Sequence, residues 1–417
     1  MLKKNPLLRA VVAAALTMGL SACISGDDDE GGSGLPSEKD YVAGQFKDAS
    51  VDGTAYPQNL TLAGGQNGRS CSGETHYFET EDGRIRVYGS TAFSETDFRV
   101  VSTMIQTRLD LVMGKFGISW DEFVAQRPHF TLDHLSRLVS GYRSWTQYES
   151  GTDPSLSVAA IETQSETEAL DWETWQTLSL QDQLAFAESY APMLGYAGTS
   201  ATLADLLLPR ESMVVCLSPG MSGSQFGEGS QLGIQVPPET STYHSRVGEI
   251  FTHEIVHFVQ ANISHVGQSN PFAVMPRWFT EGQAVYLAGQ SIASVDHHHN
   301  LNAANIVSFL DEELSGYDSG FMYKHYGLAY KYVHENNGTA TIVDMMQSMK
   351  SNTDTPHIWQ PSVAFDPENP EATDKDPGLA FQRAFVNHIS DHTGTPLEIK
   401  RYRTSYHDLM NGWASQQ

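Results

Sequence analysis

Positive charge is scarce in this sequence. Lys and Arg together number 25 against 50 Asp and Glu, for a formal net charge of −25. A nucleic-acid or anionic-membrane surface needs clustered basic residues, so the balance argues against nucleic acid as a partner. Cysteine is rarer still, at three in 417 residues, which leaves room for one disulfide at most. No apolar run reaches the ~20 residues that a bilayer-spanning helix requires. No repeat period is visible, which argues against a solenoid or propeller. The glycine-rich stretch from Ser218 to Ser230 is not G-x-G-x-x-G and lacks a strand–helix–strand context, so it carries no phosphate-binding expectation.

What is present begins with a processing signal. Lys3, Lys4 and Arg9 precede a short apolar stretch, Ala10 to Leu20, which has the length of a signal-peptide core. Leu20-Ser21-Ala22-Cys23 follows and resembles the lipobox of bacterial lipoproteins. That resemblance implies a signal peptide over 1–22, lipid (palmitate among its acyl chains) on Cys23, and a membrane anchor outside the cytoplasm. A plain signal peptide cut near Ala22 is the alternative. Ile24 and Ser25 stand where an inner-membrane retention signal would have Asp, which points to the outer membrane or cell surface if the source is Gram-negative. Residues 23–39, acidic and glycine-rich, read as a solvated tether. The acidic run lacks the spaced ligand loop and terminal Glu of an EF-hand. An exported compartment permits disulfides, so Cys71 and Cys216 are expected to pair, with two buried thiols as the alternative.

With 40% hydrophobic residues the chain can build a real core, as one large domain or two smaller ones. The expected boundaries are an N-terminal hairpin and helical region over 40–208 and a second unit over 209–417. In the first, His76-Tyr77-Phe78 and Ile85-Arg86-Val87-Tyr88 flank Asp82-Gly83 as a hairpin. Ser94-Glu95-Thr96-Asp97 then opens a helix as a capping box. Phe98, Val101, Ile105, Leu109, Val112 and Phe116 keep one apolar face to its end at Gly117. Ser119 to about Leu208 reads as mostly helical. In the second unit, Met213 to Leu217 and Leu232 to Val236 are strand candidates with a loop between them. The second of these, taken as a sheet edge, could pair with an extended peptide.

The chemistry concentrates downstream. Thr252-His253-Glu254-Ile255-Val256-His257 contains H-E-x-x-H. Val247, Ile250, Phe251, Ile255, Phe258 and Val259 recur at helical spacing and place it on an amphipathic helix of about 245–262. Positions four apart on a helix differ by only ~40° in azimuth and ~6 Å in height, so His253 and His257 can share one Zn²⁺. Glu254 beside them can take a proton from a zinc-activated water and return it to a leaving amine. A second helix from Arg277 to about Gly289 carries Glu281 within Trp278-Phe279-Thr280-Glu281-Gly282-Gln283-Ala284. Further helices are expected over 303–314, from Tyr323 to Asn337-Gly338, over 339–349, over 379–389 and from Pro396 to about Met410. The three consecutive histidines at 297–299 cannot all face one site and read as a surface cluster.

H-E-x-x-H followed by W-F-T-E-G-x-A-x-Y resembles the gluzincin metallopeptidases. The resemblance is specific over about 247–290, with weaker agreement in the helices beyond. It implies an α+β zincin-like domain, with a small mixed sheet packed on the H-E-x-x-H helix and a mostly helical C-terminal subdomain. It implies His253, His257 and Glu281 as zinc ligands and Glu254 as the catalytic base. It further implies a Tyr that stabilises the oxyanion, for which Tyr326 is slightly preferred over Tyr323. Two departures matter. The 23 residues between His257 and Glu281 exceed the gap in thermolysin-like and aminopeptidase-like members, and the Gly-x-Met-x-Asn exopeptidase signature is absent, which favours an endopeptidase. In the metzincin pattern a third His falls at position 263, which is Ile; His265 is the one rival to Glu281 as third ligand. The expected activity is hydrolysis of peptides or proteins. The alternatives are a surface binding or scaffold lipoprotein on an inactive zincin fold, and a zinc hydrolase acting on cell-wall or glycan-linked peptides.

Overall fold

A computed structural model describes residues 35–48, 74, 76–127, 211–220, 224–227, 231–239, 243, 246–264, 275–294, 319–349 and 379–397. Within them the chain is mixed α+β. Six strands form one sheet: β1 (Gly44–Asp48), β2 (His76–Thr80), β3 (Ile85–Gly89), β4 (Met213–Pro219), β5 (Ser224–Gly227) and β6 (Gln231–Val236). Their order is β1-β2-β3-β4-β6-β5. β1–β2, β2–β3 and β5–β6 are antiparallel, while β3–β4 and β4–β6 are parallel. Strands from both sides of position 208 therefore share one sheet.

The hairpin stands where the alternating pattern puts it, with Tyr77 opposite Tyr88 and Glu79 opposite Arg86. Gly83 supplies the positive φ of its turn. On the pleat, Tyr77 and Tyr88 stack at 5.0 Å, and Glu79 binds Arg86 at 2.6 Å and also Lys47 from β1. Across the sheet, β4 is paired in parallel on both sides, and its run Met213-Val214-Val215-Cys216-Leu217 is buried throughout. A continuous apolar strand is what burial on two faces demands. Met213, Val215 and Leu217 join the helix-covered core, and Val214 and Cys216 point the other way. Cys216 is disulfide-bonded, and its partner lies outside the described residues, as do Cys23, Cys71 and His265.

Six helices follow among the described residues: α1 (Glu95–Phe116), α2 (Trp120–Gln126), α3 (Val247–Ser264), α4 (Arg277–Ala288), α5 (Ser319–Ser348) and α6 (Leu379–His388). The α1 start is a capping box of Ser94 and Asp97, and its end is Gly117 in the left-handed region. Both match the reading of the sequence, because caps are local devices. A second capping box, Ser119 with Glu122, opens α2. The two helices expected around Asn337-Gly338 form one run, α5, broken at Gly338 with φ 74° and ψ 167°.

Two expectations change. The segment 218–230, expected to be a loop, contains β5, which pairs along β6. β6 is consequently an interior strand, and β5 is the terminal one among the described strands. The helix α3 is also less one-sided than its pattern implied. Every residue from Val247 to Ser264 except Glu249, His257 and Ala261 is buried, and those three are partly covered. The reason is its position: α1, α2, α4, α5, β5 and β6 all pack against it. The helices expected over 303–314 and beyond 397 and the bulk of 128–210 lie outside the described residues. No described helix is long and apolar enough to cross a membrane.

Candidate metal centre

The centre is built on α3 and α4. His253 and His257 lie one turn apart, with ring centroids 4.8 Å apart and planes at 81°. Their Nε2 atoms approach to 3.1 Å. From α4, Glu281 Oε2 reaches His253 Nε2 at 3.1 Å and His257 Nε2 at 3.3 Å. Three donor atoms thus form a nearly equilateral triangle, and His253, His257 and Glu281 are the one group among the described residues that could hold a metal ion.

The spacing tests the fit. Tetrahedral ligands at about 2.0–2.1 Å from an ion stand roughly 3.3 Å from one another, and the observed edges match. Lone pairs on two imidazole nitrogens so close together repel unless a cation, a metal or a proton, lies between them. Without a metal the protein recruits a proton. Burial works against charge on His257, but the Glu281 carboxylate, its hydrogen bond, the Glu254 charge and Gln260 outweigh it and raise His257 to about 9. Burial likewise works against charge on Glu281, yet His257 and His253 hold it well below the usual carboxylate range. The site therefore stabilises one positive charge at the point where the three atoms converge.

Access is one-sided. His253 is 3% exposed at its side chain, whereas His257 and Glu281 keep 18% and 19%. Glu254 is buried on the same helix at 3%, close enough for its charge to act on His257.

The placement of Glu281 follows from packing. α4 starts after Pro276, whose carbonyl accepts from the backbone N–H of Phe279 and Thr280. Gly282 then allows α5 to come close: a Cβ there would stand 2.3 Å from the Tyr326 carbonyl oxygen. Gly327 answers from α5, where a Cβ would meet Ile292 and Val285 within 3 Å. On the far side Trp278 is buried edge-on to Phe381 and Phe385 of α6, at 6.5 and 6.0 Å. Lys115 of α1 donates to the Leu287 carbonyl at the end of α4.

Two tyrosines of α5 lie near the centre. Tyr323 Oη donates to Glu281 Oε1 at 3.4 Å, and its ring lies 6.2 Å from that of His253. The Tyr326 hydroxyl, 1% exposed as a residue, is turned to Met322 Sδ at 3.9 Å. Tyr323, the second choice from sequence, reaches the ligand set.

Three glutamines went unread in the sequence. Gln260 Oε1 lies 2.8 Å from His257 Nδ1, and Gln290 Oε1 lies 3.0 Å from His253 Nδ1. Gln283 joins Gln260 to Tyr330. The i,i+3 spacing of His257 and Gln260 on a buried helix was a usable signal. Gln290 had none, since it depends on the turn that ends α4. No family model matches the chain, and no curated protein or solved structure matches it.

Proposed function

We propose that this chain is a zinc-dependent metallopeptidase of the gluzincin type, an endopeptidase held outside the cytoplasm by lipid on Cys23. The observation that carries the reading is the triangle of His253 Nε2, His257 Nε2 and Glu281 Oε2, with edges of 3.1 to 3.3 Å. Two neutral imidazoles and one carboxylate are a zinc-type donor set that leaves a position open, and the partial exposure of His257 and Glu281 gives that position access to solvent. Bound zinc would supply a Lewis acid for the scissile carbonyl and acidify the attacking water.

The chain's own groups do the rest. Glu254 accepts a proton from the attacking water as its oxygen bonds to the carbonyl carbon. It then hands that proton to the amide nitrogen as the C–N bond breaks. Tyr323, beside Glu281, donates a hydrogen bond to the oxygen on which charge develops. β5 is the last of the described strands and packs against α3, so a peptide added in extended form to its outer edge would run beside the ligand helix.

Metal content and turnover test the reading together. The untagged wild-type protein is expected to carry about one zinc per chain, consistent with the one three-ligand group among the described residues, and Glu281→Ala to lose it. Glu254→Gln is expected to keep zinc and lose about 10²–10⁴-fold in peptide hydrolysis. Unchanged turnover in Glu254→Gln would remove the mechanism. A wild-type protein that takes up no zinc after supplementation would remove the reading.

A further inference from the structure

We infer that Gln260 and Gln290 are positioning residues that set both histidine ligands in the same tautomer, protonated on Nδ1 with the Nε2 lone pair turned to the metal. The inference rests on the metal reading above and adds the groups that orient the ligands.

The orientation of Gln260 is fixed by its neighbours. Its amide nitrogen donates to the Thr280 carbonyl at 2.9 Å and to Gln283 Oε1 at 2.8 Å. Both amide hydrogens are thereby used. Gln283, accepting at its oxygen, donates from Nε2 to Tyr330 Oη at 2.8 Å. Only the Gln260 oxygen is left for His257 Nδ1, 2.8 Å away, so Nδ1 must carry the proton. His257 is tied in this way through α4 to a buried tyrosine on α5.

Gln290 does the same for His253 by a different route. Gly289, at φ 73°, caps α4, and the Gln290 backbone N–H bonds back to the Val285 carbonyl at 3.0 Å. That turn brings the Gln290 side chain under His253, with Oε1 at 3.0 Å from Nδ1. Its amide nitrogen is buried with no hydrogen-bond partner. The amide orientation is therefore set by His253 itself: with Nε2 bound to a metal, Nδ1 carries the proton and needs an acceptor. Reversing the amide would set a donor against Nδ1–H whenever Nε2 binds a metal. Both partners are neutral amides where zinc-bound histidines often have a carboxylate. The three ligands then carry one negative charge in total, from Glu281.

The test uses Gln290, because its side chain hydrogen-bonds to His253 alone among the described residues and lies past the helix end. Cobalt(II) and zinc affinities are measured by competition with a chromophoric chelator, for wild type, Gln290→Leu and Gln290→Glu. Thermal midpoints of the metal-free forms are taken in parallel. Gln290→Leu is expected to weaken metal binding about 10–100-fold with its metal-free midpoint unchanged, and Gln290→Glu to restore it to wild-type strength or better. In the zinc-loaded wild type, ¹⁵N-coupled proton spectra are expected to show Nδ1–H on both histidines. Metal binding unaltered in Gln290→Leu, or Nε2–H on either ligand, overturns this inference while leaving the metal site standing. A wild-type protein that binds neither metal overturns this inference and the metal reading together.

Discussion

At the residue scale the site is a problem of placing like atoms close together. Two imidazole nitrogens and a carboxylate oxygen meet within 3.3 Å, and burial removes the water that would otherwise screen them. The chain answers with charge: in the absence of metal, His257 holds a proton up to about pH 9 and Glu281 stays ionised. A metal ion bound there would take the place of that proton. Tyr323 stands at the rim of this cluster and Tyr326 inside the helix packing. Tyr323→Phe should therefore lower kcat by roughly 10²-fold, the loss typical of one oxyanion donor, with metal content unchanged. Tyr326→Phe should leave kcat within about twofold, since its buried hydroxyl is turned to the Met322 thioether, a weak contact whose loss is worth a fraction of a kcal/mol. Steady-state kinetics on a peptide substrate compare them; equal losses in both variants would return the role to Tyr326 or remove it from both.

At the scale of elements the α4–α5 crossing decides the geometry. Gly282 and Gly327 interlock there, and each would drive a Cβ into the facing helix. The Tyr326 carbonyl at 2.3 Å from such an atom is backbone and cannot rotate aside. Gly282→Ala should destabilise the protein by about 1–3 kcal/mol or more, as overpacking does, and weaken metal binding because Glu281 is the adjacent residue. Denaturant melts of the metal-free protein and chelator competition measure the two effects separately. Stability equal to wild type would show that the helices can part without loss. The β1–β2–β3 cluster of Lys47, Glu79 and Arg86 lies at the other end of the sheet. Its partly exposed ion pairs contribute little to stability beside such packing.

At the scale of the whole molecule, the sheet ties early and late parts of the sequence together. β3 and β4 are paired in parallel although more than a hundred residues separate them in the chain. Long closures of that kind carry an entropic cost, and a covalent link at the central strand offsets part of it. Cys216 sits there, buried and disulfide-bonded. Non-reducing peptide mapping should link it to Cys71, and reduction should lower stability by about 2–4 kcal/mol. A link to Cys23 instead would remove the lipid-anchor proposal, since that sulfur would no longer be free for acylation.

The sequence by itself determined what depends on neighbours along the chain. The Ser94–Asp97 cap, the Gly117 stop, the hairpin about Gly83 and the one-turn spacing of His253 and His257 are all local, and each was legible from residue type and period. Glu281 was legible only through a resemblance of motif. The tertiary structure alone decided which strand ends the sheet, because β5 is defined by its partner β6 and not by a pattern of its own. It alone put the Tyr323 hydroxyl beside Glu281, because the register of α5 against α4 is a matter of packing. It alone placed Gln290 under His253, because that depends on a left-handed turn at Gly289 aimed at a helix 37 positions away. Periodicity reports which way a side chain faces on its own element; what it meets there is settled by non-local packing.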